Sequence, residues 1–581
     1  MKWISTASAY TATGIRRAGV DKGAFIVAVI IITLSVVLIF PVALILLLSF
    51  NTAPLFFAGE KIWGLDNWRE AFSQIHIYRA LFNTIWLWFA GAAISFPFAV
   101  VTAWLLARTR IPHSHTLEFL FWVAYVTPGG LIAWILLFDP TLGYVNIALT
   151  MLPFIDESPF NIFSVPGILF VTVMGSGVSL KVMLLTPAFR NMDAALEEAA
   201  RIGGASNIRT MLRVTIPLMT SPIVLVFALQ LMRMFQSFES ELILGRPIGF
   251  FVYSTLIFDQ VRMQEPPAYG QATAAASLTM VVVAFIIPLQ RWVLKRRRYT
   301  TITGNFRPGL IDLDQWKWPA FGMILFFHVA TTFLPLVVMG AGSFMVRSGY
   351  FELDPLLTTD HWKLVLTHPR FIGALRTTVL LATTTAIISP ILFSLIAYIV
   401  VRTAWRFRYV LDSLIWVSAA IPGMLTGLGL LLVVLWTPGL NLLYGTIWIL
   451  IIVIVIQGNT TGVNISKAAI VQIGFDMEEA GRVSGAGWLR TYIRIWIPLL
   501  LPTLALLAMM NFTIAAGTTS SIILLASRET TTMSILILQL LLPEEGSREA
   551  AAAAQIVLGV LTLTLAIIAR RYGIRLGVRH G

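Results

Sequence analysis

Side chains able to do chemistry are scarce in this sequence, and they gather in three places. The first is Glu197-Glu198-Ala199-Ala200-Arg201-Ile202-Gly203-Gly204-Ala205, which runs on to Arg213-Val214-Thr215-Ile216-Pro217. The second is Glu478-Glu479-Ala480-Gly481-Arg482-Val483-Ser484-Gly485-Ala486, which runs on to Arg494-Ile495-Trp496-Ile497-Pro498 at a constant offset of 281 residues (197 to 478, 217 to 498). The third is the acid pair Glu239 and Glu241, with the polar run 517–521, including Thr518 and Thr519, at the corresponding place in the other half. None of these assembles a catalytic site. With no cysteine in the chain, thiolate chemistry, disulfides and Cys-ligated metals are excluded. His113, His115 and His361 fall in loops without ligand spacing, so no resident metal site is expected. Gly-x-x-x-x-Gly-Lys-[Ser/Thr] is missing, and Ser466-Lys467 lacks the glycine spacing that a phosphate-cradling loop needs. What remains is non-covalent work. The two charged islands suit docking, and the two carboxylates offer oxygen ligands of the kind hard cations prefer.

The elements that position these residues are membrane spans. The chain has 581 residues, 57% hydrophobic and 12% charged, against about 25% charged in an ordinary soluble protein. Apolar runs of this length span a bilayer as helices. They lie near 24–50, 79–107, 118–138, 163–187, 216–238 and 271–294, then near 318–341, 374–400, 411–436, 443–466, 497–525 and 551–569. The expectation is an all-α polytopic membrane protein of about twelve transmembrane helices. The first apolar run is too long for a signal-peptide core and reads as an uncleaved span. The net charge of +13 marks membrane topology rather than nucleic acid. Lys and Arg concentrate in one set of loops, which places both islands, the basic linker after Lys295 and both termini in the cytoplasm.

The chain repeats itself. Asp66-Asn67-Trp68 matches Asp360-His361-Trp362 at an offset of 294, and Ser49-Phe50 matches Ser343-Phe344, as Arg108-Thr109 matches Arg402-Thr403. Past the islands the offset falls to 280–281, so Glu239 and Glu241 stand opposite Ser520 and Ile522. The halves are 1–300 and 301–581, each with about six spans and a charged loop, near 193–217 and 476–498. An even number of spans gives both halves one orientation and builds a pathway between them.

Each island reads as a short helix, a glycine break and a second short helix. Glu197 with Arg201, and Glu478 with Arg482, are spaced for i,i+4 ion pairs. Gly204 and Gly485 end the turn, and Pro217 and Pro498 open the next span. Leu196, Ala199 and Ala200 give the first helix a smooth face. Lipid anchoring needs charge and amphipathicity but no such register. The pattern Glu-Ala-Ala, three residues, Gly, nine residues, Ile, one residue, Leu-Pro resembles the signature loop of ABC-importer permeases. It appears here as Glu198-Ala199-Ala200, Gly204, Val214, Ile216-Pro217, and again as Glu479-Ala480-Gly481, Gly485, Ile495, Ile497-Pro498. Val214, Ile216, Ile497 and Gly481 depart conservatively from it.

This resemblance implies a type I ABC-importer permease fold carrying both halves in one chain. Residues Glu197, Glu198, Ala199, Ala200, Arg201 and Gly204, with Glu478, Glu479, Ala480, Gly481, Arg482 and Gly485, would then form coupling helices. Their partners would be two ATP-binding subunits in the cytoplasm. Substrate would come from a periplasmic or lipid-anchored binding protein, across a bacterial inner membrane. The chain itself would bind no cofactor and hydrolyse no ATP. Fused permeases of this type resemble ferric-iron transporters, and the segments 235–245 and 515–525 resemble the iron type. The expected path residues are therefore Glu239, Glu241, Thr518 and Thr519, near the outer end of the fifth span and its counterpart. Thiamine or another small solute is the alternative cargo. A secondary transporter with two six-helix halves is the alternative mechanism.

Overall fold

Repeated contacts, rather than repeated letters, organise the molecule. The computed structural model describes residues 22–571, except 55, 58, 127–129, 176, 193–194, 233, 297–309, 404–407, 472, 475 and 544–545. Arg233, the linker core and both termini thus lie outside the described residues. The architecture is helical, and among the described residues only isolated β-bridges supplement the helices. Its longest helices, Ile75–Arg108 and Pro369–Arg402, have 34 residues each and begin and end 294 residues apart. At 1.5 Å per residue each is about 51 Å long, well beyond the roughly 30 Å hydrocarbon core. Each ends in an arginine at one face of the protein.

Among the described residues, seven helices are long and apolar enough to cross a membrane, or up to nine if each of two bent pairs counts as one span. About twelve expected spans are consistent with this, because Lys22–Leu48 and Tyr269–Arg296 are further long helices outside the seven. The window 411–436 divides into two shorter helices, Arg408–Ala420 and Gly423–Trp436, and the window 118–138 holds Ser114–Val126 and Leu131–Phe138 on either side of residues outside the described set. The window 216–238 bends by 64° beside Met219. Two further buried segments have no counterpart among the expected spans. One is the sharply bent pair Glu239–Ile248 and Tyr253–Met263. The other holds the helix Met533–Leu541.

The indole N–H of Trp68 donates to Ser49 Oγ at 2.9 Å, and that of Trp362 to Ser343 Oγ at 3.1 Å. The bridges Asn51↔Trp63 and Met345↔Leu357 also match. Thr84 Oγ1 accepts from Tyr253 N at 2.9 Å, as Thr378 Oγ1 does from Met533 N at 2.8 Å. This last pair fixes the later register at 280.

The halves exchange their first helices. Lys22–Leu48 packs on Gly423–Trp436, while Lys317–His328 and Leu334–Phe344 pack on Ser114–Val126 and Leu131–Phe138. Glycine permits both crossings. A Cβ on Gly429 would stand 2.8 Å from Pro41 Cβ, and one on Gly342 would stand 2.7 Å from Leu136 Cδ1.

Element order orients the halves. At one end Ile311 pairs with the chain just after Ile75–Arg108, donating to Arg108 O at 2.8 Å. At the opposite end Arg548 meets Asp139 at 2.8 Å, and Glu549 accepts from Ser348 N at 2.6 Å. Burial works against the Asp139 carboxylate, but the N–H groups of Leu142 and Thr141 and the Arg548 charge outweigh it and hold its pKa below the usual value. Arg108, Arg402 and both charged islands gather at the first end.

Candidate functional site

The islands fold alike. Ala195–Ile202 and Asp476–Val483 are eight-residue helices. Gly204 and Gly485 follow at φ +81° and +77°. The Ala205 N–H reaches back to Ala200 O at 3.0 Å, and the Ala486 N–H to Gly481 O at 3.0 Å. This is the six-to-one closure of a helix whose next residue turns left-handed, a conformation glycine adopts without steric cost. Glu198, Ala199, Glu479 and Ala480 are exposed. Ile202 and Val483, 281 residues apart, are 87% and 90% exposed, and the matched pair Ile208 and Leu489 is exposed as well. Each loop then continues through a single π-turn, Met211–Thr215 and Tyr492–Trp496, into Pro217 and Pro498. The prolines therefore continue a widened helix instead of opening a separate one, since the extra residue of a π-turn relieves the clash of the ring with the preceding turn.

The expected i,i+4 pair of Glu197 with Arg201 is not formed. Glu197 turns inward, 1% exposed, and its carboxylate accepts from the Arg108 guanidinium at 2.5 and 3.1 Å and from the Thr215 hydroxyl at 2.7 Å. Arg108 also donates to Met192 O at 2.9 Å. The first loop is thus wired at both ends to the long helix that crosses the protein. Sequence reading noted Arg108 only as a repeat marker; its neighbour in the fold lies 89 positions away. The second half buries Glu478 at the equivalent position, where it accepts from the Tyr398 hydroxyl at 3.2 Å. Arg402 donates to the carbonyls of Ile470 and Ile473 and stands over the Trp496 ring. Trp496 replaces Thr215, so the two anchors share position but differ in chemistry. Further out, Glu118–Arg190 at 2.7 Å and Asp412–Lys467 at 2.5 Å tie the same pair of spans in each half.

Between the halves lies a cavity of about 430 Å³, lined by Tyr125, Trp134, Gln236, Glu239, Glu241 and Ser520 among others. Glu239 and Glu241 do not mark an outer end. They begin a short helix running from this cavity to Arg246, which lines a separate 670 Å³ cavity with Arg347 and Arg548 at the end away from the charged loops. Seven residues of helix put Glu239 about 10 Å inward of Arg246. The matched bonds from Leu242 N to Phe238 O and from Ile523 N to Thr519 O keep the register at 281 here, so Glu239 corresponds to Ser520 and Glu241 to Ile522, as expected. Glu239 opens onto the cavity. Glu241 is 1% exposed, takes a hydrogen bond from Ser240 at 2.9 Å on one oxygen, and leaves Oε1 without a partner. Thr518 stays out of the wall and caps the helix Ile497–Gly517, its carbonyl accepting from Ser534. A 150 Å³ cavity adjoins, sharing Thr172, Gly177 and Ser237. It holds Lys181, whose ammonium donates to Ser95 at 2.9 Å and stands over the Phe96 ring.

Residues 390–576 match the family of binding-protein-dependent transport system inner membrane components. The second half of the chain thus carries the pattern of that family. It is 25% identical over 453 residues to a ferric transport system permease protein of Actinobacillus pleuropneumoniae, an alignment covering 77% of this chain and 64% of the relative. It is 26% identical over 347 residues to a putative ferric transport system permease of Haemophilus influenzae, covering 58% and 52%. The chain thus spans between half and two thirds of these relatives' length. A spermidine/putrescine permease of Escherichia coli is equally similar, 26% over 243 residues, covering 41% of this chain and 84% of the relative.

Two departures from the signature pattern compensate each other. Gly481 stands where the first half has Ala200, and Ile495 where it has Val214. A Cβ on Gly481 would lie 3.0 Å from Ile495 Cδ1, an atom that valine lacks. The small–large pair and its reciprocal fill the same space, so Gly481 marks packing rather than a loosened helix. Gly481→Ala alone is expected to cost about 1 kcal/mol through overpacking, more than its gain in helix propensity. Adding Ile495→Val should restore stability, and a thermal-unfolding cycle in detergent checks it. Additive effects would mean that the two residues do not share the space.

Proposed function

We propose that the chain is the membrane-spanning permease of an ATP-driven importer, a transport subunit and not itself an enzyme. The observation that carries this reading is the pair of charged loops, alike in helix, left-handed glycine and exposed apolar tip, at one end of the molecule. Nearly naked isoleucine and valine at matched positions suit burial by a partner. One ATP-binding subunit docks on each loop, through 195–204 and 476–485, with ATP bound by those partners. Their approach draws the loops together and rocks the halves, 1–300 and 301–581, about the seam. The loops and both termini face the cytoplasm of a bacterium, and the chain resides in the inner membrane. A binding protein delivers substrate to the opposite face.

The cargo we propose is ferric iron. The two ferric relatives support it, as do the acid pair at the seam and the polar run opposite. The equally similar polyamine permease means that identity at this level does not choose the cargo. The test is uptake of ⁵⁵Fe from a ferric-loaded binding protein into vesicles holding this chain and its ATPase. Uptake is expected to require ATP and to be insensitive to a protonophore. Uptake driven by a proton gradient without ATP would replace this reading with a secondary transporter. ATP-driven uptake of thiamine in place of iron would change the cargo alone.

A further inference from the structure

Glu239 and Ser520 are equivalent residues of the two halves, and both line the 430 Å³ cavity. Residues related by a twofold converge only near its axis, so the cavity lies beside the pseudo-twofold at the seam. From this we infer that Glu239 and Glu241 form a transit site for a hard polyvalent cation, beside the axis and deep within the protein. The inference rests on the transport reading above and deepens it by naming where the ion is held.

The donor set around the cavity is all oxygen. The first half supplies two carboxylates and the Ser237 and Ser240 hydroxyls, and the second supplies Thr331 and Ser520. Oxygen ligands of this kind select hard ions. Glu241 is the sharper sign. A buried carboxylate normally satisfies both oxygens, and Oε1 of Glu241, against the cavity wall, has no partner. Acids deep in a membrane protein line an ion path far more often than they serve structure.

Strength matters as much as type. Among the described residues no group of three or more His, Cys, Asp or Glu is placed to hold a metal. Two carboxylates with neutral hydroxyls hold an ion loosely, and conduction needs a site weak enough to leave. The ligands are also divided. Both charges come from one half and the Thr331 and Ser520 hydroxyls from the other, so rocking the halves apart strips ligands from the ion and lowers its affinity at the moment of release.

Terbium(III) is a suitable probe: a hard trivalent ion whose emission a nearby tryptophan sensitises, and Trp134 lines the cavity. The full-length chain in nanodiscs is titrated with Tb³⁺, with binding measured in parallel by equilibrium dialysis. The expected result is a saturable site displaced by Ga³⁺ and not by thiamine. Glu239→Gln/Glu241→Gln should weaken it at least about 10-fold, the loss that even outer-shell partners of a metal produce. Glu239→Asp, which keeps the charge, should retain most binding and so control for folding. Trp134→Phe should dim the sensitised emission while leaving dialysis unchanged, which locates the ion. Undiminished binding in the double Gln variant, or emission indifferent to Trp134→Phe, overturns the site. ATP-independent uptake would instead sink the transport reading and leave the binding result standing.

Discussion

Glu197→Ala is expected to destabilise the chain by about 3–5 kcal/mol, the range for removing one partner of a buried ion pair. The magnitude separates two accounts of this residue. As a surface i,i+4 partner of Arg201 it would be worth about 0.3–0.5 kcal/mol. As placed, it is 1% exposed and answers an equally buried guanidinium, so its removal leaves Arg108 charged in a site closed to water. Arg108→Met should be comparably damaging, because it strands the carboxylate with only the Thr215 hydroxyl. The double variant Arg108→Met/Glu197→Met should recover much of the loss, since apolar replacement of a whole buried pair is often neutral. The readout is unfolding in mixed micelles, with hydrogen exchange over 195–215 as local report. Single losses below about 1 kcal/mol, or strictly additive ones, would show that the contact is not the loop's anchor.

How much of this was legible in the sequence varied with the range of the interaction. Local features came through. The glycines that turn left-handed, the short helices before them and the 281-residue register are all set by neighbouring residues. The helical membrane architecture follows from composition and run length alone. What failed depends on distant contacts. Glu197 and Glu198 are adjacent acids on an eight-residue helix, and which one faces inward is decided by Arg108, far away in the chain. Glu239 and Glu241 looked like the end of a span because the polar run 235–241 interrupts hydrophobicity. The chain in fact breaks there and re-enters as two helices, each too short to register as a span. The exchange of first helices left no mark in periodicity, because an all-round apolar helix does not reveal which neighbour it packs against.

Gly204→Val and Gly485→Val should each reduce ATP-driven uptake by about 10-fold or more, and the pair should nearly abolish it, with folding intact. Both glycines lie at positive φ, and nothing stands within 4 Å of where a Cβ would go. Space is therefore not the constraint; backbone conformation is. A left-handed residue with a side chain costs about 1–2 kcal/mol, and a β-branched one more. Leaving that conformation also forfeits the closing bond from Ala205 to Ala200, or from Ala486 to Gly481, about 1 kcal/mol net. A shift of 1.4 kcal/mol is tenfold in population, so a loop strained by about 2 kcal/mol spends most of its time out of the docking geometry. Because the strain is relieved within an exposed loop, melting and monodispersity should stay near wild type, unlike in Glu197→Ala. Substituting asparagine decides the cause. Asparagine tolerates the left-handed region, so Gly204→Asn and Gly485→Asn should keep most of the uptake that valine destroys. If asparagine is as harmful as valine, the glycines are there because a partner packs directly on them, and the backbone argument fails.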